Sequence, residues 1–247
     1  MGRLTDAIKH LLIVNVLFFI TTQLYGDQMY EWFSLWFPKN GNFGFWQILS
    51  HMFMHGGFMH ILFNMYALWA FGTPLEQMWG RNKFFFFYFS AGIGAALIHT
   101  GVNYYHFNAG MSALVDSGIS ESSIMEIISS GKYSPDWYSI AGKSTIDNFL
   151  SAYNTPAVGA SGAIYGVLVA FGMSYPNSEL FLMFIPVPIK AKFFIPVLIG
   201  LDLFSGVTGY SLFGQGIAHF AHIGGALFGF LMMWYWKKNE FNKNRWN

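Results

Sequence analysis

The sequence contains no cysteine. A disulfide framework, a thiolate nucleophile and thiolate metal ligands are therefore excluded. Charge is also scarce: charged residues make up 10% of the chain, against about 25% in a typical soluble domain, whereas 54% of the residues are hydrophobic. Such a composition cannot cover a soluble surface, so we expect a multi-span membrane protein. The net charge of +1 gives no argument for a nucleic-acid partner.

Long apolar runs make up much of the chain. A membrane-spanning helix needs roughly 20 mainly apolar residues. The first run follows Arg3 and Lys9, as in a signal peptide, but no small-residue cleavage site follows it, so we interpret it as a retained span. We predict an all-α polytopic membrane protein in which residues 1–247 form a single six-helix membrane domain. The predicted spans cover about residues 8–25, 58–74, 84–102, 161–173, 193–207 and 218–236.

The segments between the predicted spans differ in composition. Residues 26–46 are rich in aromatic side chains, which favours a loop in the headgroup layer. Residues 106–157 are polar and form a predicted extramembrane insertion between the third and fourth helices. Residues 180–189 contain two prolines and are interpreted as a turn, and residues 206–216 as a glycine-rich loop. Apolar residues at helical spacing predict two short amphipathic helices in the insertion: Ile124, Ile127 and Ile128, and then Ile146, Phe149, Leu150 and Tyr153.

The basic residues predict the orientation of the chain. With six spans both termini share one side, and we expect that side to be the cytoplasm because most basic residues fall there. The insertion is then extracytoplasmic, and the expected location is a bacterial cytoplasmic (inner) membrane. The basic residues on the predicted cytoplasmic side are Arg3, Lys9, Arg81, Lys83, Lys190, Lys192, Lys237, Lys238, Lys243 and Arg245, and those on the other side are Lys39, Lys132 and Lys143.

Four polar residues are predicted to lie at one depth in the membrane. The second, fourth and sixth spans enter the membrane from the same face, so their N-terminal ends lie at a similar depth. Near that end the second span carries His60 and Asn64, the fourth carries Ser161 and the sixth carries His222. Ionisable groups inside a bilayer are costly and mark functional sites by default. A serine attacks a carbonyl when a base takes its proton, so Ser161 is the predicted nucleophile and His222 the predicted base.

The glycines near Ser161 and His222 predict how these two residues come together. Gly159 and Gly162 flank the serine and allow another chain to come close. Gly162 also begins a pair with Gly166, four residues on, and Gly225 and Gly229 repeat this spacing in the sixth span. Matching small faces of this kind allow two membrane helices to touch along their backbones.

The remaining polar groups have predicted supporting roles. Tyr165 lies one turn after Ser161 and is expected to stack on the imidazole of His222. His60 and Asn64 share a face of the second span and are predicted to hold the oxyanion together with backbone N–H groups. No carboxylate is evident at this depth, which favours a two-residue dyad.

Other polar residues are given different interpretations. His219 is an alternative base, but the glycines after His222 favour the latter. Asp202 is interpreted as a helix-end hydrogen-bond acceptor, since no partner base is evident. His51 and His55 are predicted to be structural residues that bond the first loop.

Together, in their order and spacing, these motifs resemble the rhomboid family of intramembrane serine proteases over nearly the whole chain. The matching segments are residues 55–64 (HGGFMHILFN), 159–162 (GASG) and 221–225 (AHIGG) with Gly229. The resemblance implies a rhomboid-like bundle in the lipid bilayer that cleaves transmembrane protein substrates in or near their helices, without a cofactor. It also implies that residues 206–216 form a mobile cap. The chain departs from the family in two respects. Where the family often has a Trp-Arg pair in the first loop, this chain has Trp46-Gln47, and its insertion between the third and fourth spans is longer than in compact members.

Two other functions are weighed. The first is a metal site or transporter built on His51, His55 and His60, with His219 and His222 as further ligands. No carboxylate or cysteine accompanies these histidines, and no His-Glu-x-x-His motif occurs. No metal site is therefore predicted. The second is a catalytically inactive relative that binds transmembrane helices. The presence of both Ser161 and His222 argues against it. The sequence specifies no oligomeric state.

Overall fold

The computed structural model of the chain describes residues 4–182, 185–210 and 217–243. In chain order, its elements are α1 (Asp6–Tyr25), α2 (Asp27–Phe33), α3 (Gln47–Ser50), a 3-10 helix (His51–Phe53), α4 (Phe58–Trp79), α5 (Arg81–Asp116), α6 (Glu121–Ser129), α7 (Trp137–Ala141), α8 (Lys143–Asn154), α9 (Ser161–Ser174), β1 (Glu179–Leu182), β2 (Ile185–Lys190), α10 (Ala191–Thr208) and α11 (His219–Lys243).

Helices occupy every segment that was predicted as a span. Within the described residues, α1, α5 and α10 are long and apolar enough to cross a membrane, and α9 is a shorter apolar helix. The protein is therefore an all-α polytopic membrane protein, whereas the count of six spans stays a prediction. Residues 206–208 complete α10. The predicted cap residues 211–216 lie outside the described residues, as do Arg3 and Arg245 among the basic residues used for the orientation.

Helix α5 is longer than the sequence predicted. Its expected end was near residue 102, at the loss of apolar character, but the helix continues to Asp116. The reason is a stripe of apolar residues at helical spacing, Phe107, Met111 and Leu114, which is buried against the insertion. The polar residues between them lower the hydropathy of this segment below that of a membrane span, so the sequence did not predict its helix.

The insertion folds around a core of its own. Both predicted amphipathic helices are present, as α6 and α8, and Ile124, Ile128, Ile146 and Phe149 are buried. The short helix α7 was not predicted; its Trp137 is 2% exposed. This second core joins the insertion to the end of α5 and to Phe37 of the first loop.

Two connecting segments differ from the expectation. Residues 180–189 are not a simple turn, because β1 and β2 pair antiparallel with Glu179 opposite Lys190 and Leu180 opposite Ile189. The two prolines lie in β2, and a two-stranded ribbon tolerates them because each strand has a free edge. The aromatic first loop contains α2, and its Leu35 forms an isolated antiparallel bridge with Ala157.

Helices α9 and α11 touch along their backbones, as the glycine spacing predicted. A Cβ placed at Gly225 would lie 1.8 Å from the carbonyl oxygen of Gly162, and one at Gly229 would lie 2.6 Å from the Cα of Gly166. Because neither Gly225 nor Gly229 carries a side chain, the first two turns of α9 lie in contact with the following turns of α11. This contact sets the position of the polar residues in those turns.

Candidate active site

Ser161 is the first residue of α9, and the chain before it is held on both sides. Ala157 exchanges two backbone hydrogen bonds with Leu35, each 2.9 Å long, and the Gly159 N–H donates to the carbonyl of His51 at 2.9 Å. Gly159 has φ +123°, a conformation that favours glycine. A Cβ at this position would also lie 2.8 Å from His60 Nε2. The glycine therefore allows the imidazole of His60 to approach the backbone beside the serine.

Ser161 and His222 are brought within hydrogen-bond distance across the contact between α9 and α11. Oγ of Ser161 lies 2.8 Å from Nε2 of His222. The predicted stacking is also present: the rings of Tyr165 and His222 are 4.2 Å apart between centroids and 12° from parallel. Stacking restricts the rotation of the imidazole and keeps its edge directed at the hydroxyl.

Asp202 of α10 contacts the other side of His222. Its Oδ1 lies 3.2 Å from Nδ1 of His222 and 2.5 Å from Nδ1 of His219, and its Oδ2 accepts from the hydroxyl of Tyr165. Two sequence-based interpretations are therefore wrong: a carboxylate does lie beside His222, and Asp202 does not act as a helix-end acceptor. The spacing of residues along α10 could not reveal this, because it does not fix which face of α10 meets α11.

His219, the alternative base, is engaged elsewhere. Its Nδ1 is bonded to Asp202, and among the described contacts the Ser161 hydroxyl pairs with His222. His219 lies almost one turn before His222 on α11 and has 9% of its surface exposed. The geometry thus favours His222 as the partner of Ser161, whereas His219 contacts the carboxylate of Asp202.

His60 and Asn64 of α4 supply hydrogen-bond donors near the serine. Nδ1 of His60 accepts from the N–H of Gly56 at 3.3 Å, so a neutral His60 carries its proton on Nε2, the atom nearest Gly159. The amide of Asn64 donates one hydrogen to the carbonyl of His60 at 2.9 Å and has a second N–H. Both residues line the same cavity as Ser161.

This cavity has a volume of about 1540 Å³ and lies between α4 and α10, with α9 along one wall. It exceeds the usual range of roughly 300–1,000 Å³ for small-molecule pockets. Its polar end contains His60, Asn64, Ser161 and His222, and its apolar lining includes the side chains of Phe63, Phe71, Phe194 and Leu198. Its size and lining suit a segment of polypeptide with apolar side chains.

The imidazoles of His51 and His55 bond backbone carbonyls of their own segment and do not reach the first loop as predicted; the loop contacts this segment through the hydroxyl of Tyr30, which donates to the carbonyl of His55 at 3.3 Å. Nδ1 of His51 lies 2.8 Å from the carbonyl of Gln47, and Nδ1 of His55 lies 3.3 Å from that of Phe53. Burial lowers the pKa of each of these histidines to about 4. They are therefore neutral at physiological pH. Within the described part of the chain, no group of three or more histidine, aspartate or glutamate side chains is arranged to hold a metal ion.

Gln47, the point of departure from the family, is fully buried and fastens the first loop. Its Nε2 donates toward the carbonyls of Asn42, Glu31 and Trp32 at 2.7, 3.1 and 3.3 Å, and its Oε1 accepts from the N–H of Trp36 at 3.2 Å. A neutral amide therefore joins both ends of this loop. The sequence alone could not reveal these partners, because all of them are backbone groups.

Comparison with known proteins places these features in a family. A model described as the Rhomboid domain matches residues 42–135 and 137–239. Similar proteins include Rhomboid protein 1, mitochondrial, of Saccharomyces cerevisiae, which is 27% identical over 191 residues (77% of this chain and 42% of the relative). The presenilin-associated rhomboid-like protein, mitochondrial, of Rattus norvegicus is 28% identical over 199 residues (78% and 40%). Rhomboid protease GluP of Bacillus subtilis is 38% identical over 52 residues (21% and 10%).

These relatives correct one expectation. A bacterial cytoplasmic membrane was expected, but the yeast and rat relatives, which align with more than three quarters of the chain, are named as mitochondrial. The bacterial assignment was therefore wrong; it rested on the distribution of basic residues, which orients a chain without identifying the membrane. The chain spans about two fifths of the length of these two relatives. Since the Rhomboid domain matches most of its residues, the chain belongs to the rhomboid family.

Proposed function

We propose that the chain is an intramembrane serine endopeptidase that hydrolyses peptide bonds in or near the transmembrane helices of membrane-protein substrates. The observation that carries this proposal is the 2.8 Å contact between Ser161 Oγ and His222 Nε2 at the wall of a large cavity between membrane helices. A serine needs a base in such a position to become a nucleophile.

The proposed reaction is acyl transfer. Ser161 Oγ forms a bond to the carbonyl carbon of the substrate while His222 Nε2 takes the hydroxyl proton. The carbon–nitrogen bond then breaks, and His222 returns the proton to the leaving amine. Water attacks the acyl-enzyme next, with His222 as the base again, and releases Ser161 and the new carboxyl group.

The negative oxygen of the tetrahedral intermediate requires donors that are already in place. His60 Nε2–H, the second N–H of Asn64 and the backbone N–H of Ser161 at the start of α9 are the proposed donors. Removal of one such donor costs about 3–4 kcal/mol of transition-state stabilisation in other serine proteases. Gly159 supports this arrangement, because a side chain there would displace His60.

The proposed substrates are transmembrane segments with weak helices. In a membrane helix every carbonyl is bonded within the helix, so the scissile carbonyl becomes accessible only after local unwinding. The aromatic and aliphatic lining of the cavity suits the apolar side chains of such a segment.

The proposed location is a mitochondrial membrane, because the relatives aligned over three quarters of the chain carry that description in their names. Fractionation of cells that express the tagged chain tests this proposal. Recovery of the protein with other membranes would refute it.

Cleavage of a model transmembrane substrate tests the function. The purified protein and the substrate are reconstituted in one liposome preparation, and the products are identified by mass spectrometry. We expect the wild type to cut in or near the transmembrane helix, and Ser161→Ala to give no product. Binding of the substrate without cleavage by the wild type would instead support the helix-binding relative.

A further inference from the structure

We propose that Asp202 is a positioning residue for the reaction: its carboxylate fixes the tautomer and the orientation of His222. The centre would then be a three-residue arrangement of serine, histidine and aspartate, instead of the dyad expected from the sequence. This inference rests on the proposed function and adds a residue to the proposed centre.

Asp202 lies where three helices meet. It belongs to α10 and is 2% exposed. Tyr165 of α9 donates its hydroxyl to Oδ2, and His219 and His222 of α11 both approach Oδ1 through Nδ1. A buried carboxylate is tolerated when its oxygens accept hydrogen bonds, and both oxygens do so here. Tyr165 therefore restrains His222 in two ways: its ring stacks on the imidazole, and its hydroxyl donates a hydrogen bond to Asp202.

The contact with Asp202 determines which nitrogen of His222 carries the proton. An ionised carboxylate can only accept hydrogen bonds, so Nδ1 of His222 must be the donor. In the neutral ring Nε2 then has a free lone pair, and this is the nitrogen that faces Ser161 Oγ at 2.8 Å. The same carboxylate stabilises the imidazolium that forms when the proton moves from serine to histidine.

A purely structural role for Asp202 gives different expectations. Its bond to His219, at 2.5 Å, is shorter than its bond to His222, at 3.2 Å, so Asp202 could serve only to clamp α10 to α11 through His219. The distance to His222 nevertheless lies within the usual range of about 2.7–3.2 Å for an N–H···O hydrogen bond. A clamp affects stability, whereas a positioning residue affects the rate of the chemical step and the tautomer of His222.

The first test is Asp202→Asn, which keeps the size of the side chain. Its amide can donate to Nδ1 of His222, which moves the ring proton to Nε2 and removes the acceptor for the Ser161 hydroxyl. We expect kcat to fall by at least about 100-fold, toward the ~10⁴-fold loss caused by this change in another serine protease. The KM for the transmembrane substrate should stay within about threefold, because Asp202 acts on His222 and not on the substrate.

Ser205→Ala is the matched control. Ser205 lies three residues after Asp202 in α10, is 1% exposed, and its hydroxyl has no hydrogen-bond partner among the described residues. We expect wild-type kcat in this variant. His219→Gln should lose less than Asp202→Asn, since the amide can still donate to the carboxylate. An Asp202→Asn protein with kcat similar to that of Ser205→Ala would overturn the proposal, as would a larger loss in His219→Gln.

The second test is independent of activity and of the folding of any Asp202 variant. Nitrogen-15 NMR of labelled wild-type protein in lipid reports which nitrogen of His222 is protonated, with His222→Gln used to assign the signals. We expect the proton on Nδ1, and a proton on Nε2 would overturn the proposal. If the wild type cleaves no substrate, the proposed function fails, but this spectrum still decides whether Asp202 sets the tautomer. If the wild type cleaves normally and the proton is on Nε2, only the role of Asp202 fails.

Discussion

The carbonyl oxygen of Gly162 occupies the space that a side chain on Gly225 would need: a Cβ there falls 1.8 Å from this oxygen. The obstacle is backbone, which cannot rotate away as a flexible side chain can. The contact lies one residue after Ser161 and three residues after His222. The distance between the serine and the histidine therefore depends on the absence of a side chain at Gly225.

Gly225→Ala should separate α9 from α11 and misalign the site. Overpacking of a tight contact typically costs about 1–3 kcal/mol, and we expect at least this loss of stability with a large loss of proteolysis. Thermal unfolding in detergent and a cleavage assay measure the two effects. The control is Gly200→Ala in α10, where a Cβ has no atom of the described residues within 4 Å and alanine favours the helix by up to about 1 kcal/mol. Equal behaviour of the two variants would contradict the account of this contact.

Gln47→Glu should destabilise the first loop more than Gln47→Arg. Glutamate would place a buried negative charge against the carbonyl oxygens that the amide now donates to, whereas arginine keeps donors for them. We expect a loss of several kcal/mol for glutamate, since a buried charge without a partner is strongly unfavourable. The comparison is the free energy of unfolding in detergent, with Gln28→Glu at an exposed position of α2, within the first loop, as the control. A neutral Gln47→Glu would show that the loop does not depend on these bonds.

Acid should destabilise the protein through His51. Burial lowers the pKa of His51 to about 4, whereas in the unfolded chain the pKa is about 6.5. The unfolded state therefore binds a proton first, so the contribution of His51 to the free energy of unfolding falls as the pH drops from about 6.5 to about 4 and is constant outside this window. The loss from this residue is on the order of 3 kcal/mol.

The measurement for His51 is the free energy of unfolding between pH 4 and pH 7 in His51→Gln. This variant should show a shallower loss than the wild type, whereas Gly200→Ala, which removes no titratable group, should show the wild-type slope. An unchanged slope in His51→Gln would mean that this histidine is accessible to protons in the folded protein.

Helix-weakening residues in a substrate should control its rate of cleavage. Replacing glycine or proline near the cut site by leucine strengthens the helix, by about 1 kcal/mol for glycine and about 3 kcal/mol for proline, and so opposes unwinding. We expect slower cleavage in liposomes, with the same leucine replacement one helical turn or more outside the cut region as the control. Equal rates for both substrates would show that local unwinding does not limit the reaction.

The sequence predicted those parts of the site that depend on spacing within one helix. The repeated glycines placed α9 against α11, and the position of Tyr165 one turn after Ser161 led to the stacked rings. The apolar periodicity of α6 and α8 was equally local, and both helices are present. In each case the signal lay in the separation of a few residues along one helix.

The parts that were missed depend on relations between distant segments. Asp202 meets His222 because of the rotation of α10 about its axis, and no pattern within α10 reports this rotation. The extension of α5 to Asp116 depends on a core that α5 shares with the first loop, α6, α7 and α8. An intramembrane carboxylate does indicate function by default. By this rule Asp202 is a functional residue, and its observed partners are His219 and His222.

The most direct test of the central claim is covalent labelling of Ser161. The purified protein is treated with a fluorophosphonate probe, digested and analysed by mass spectrometry, in the wild type and in His222→Ala, each with and without a chelator. We expect an adduct on Ser161 in the wild type, unaffected by the chelator and lost in His222→Ala. Labelling of Ser161 that persists in His222→Ala, or wild-type protein without an adduct on Ser161, would contradict the central claim.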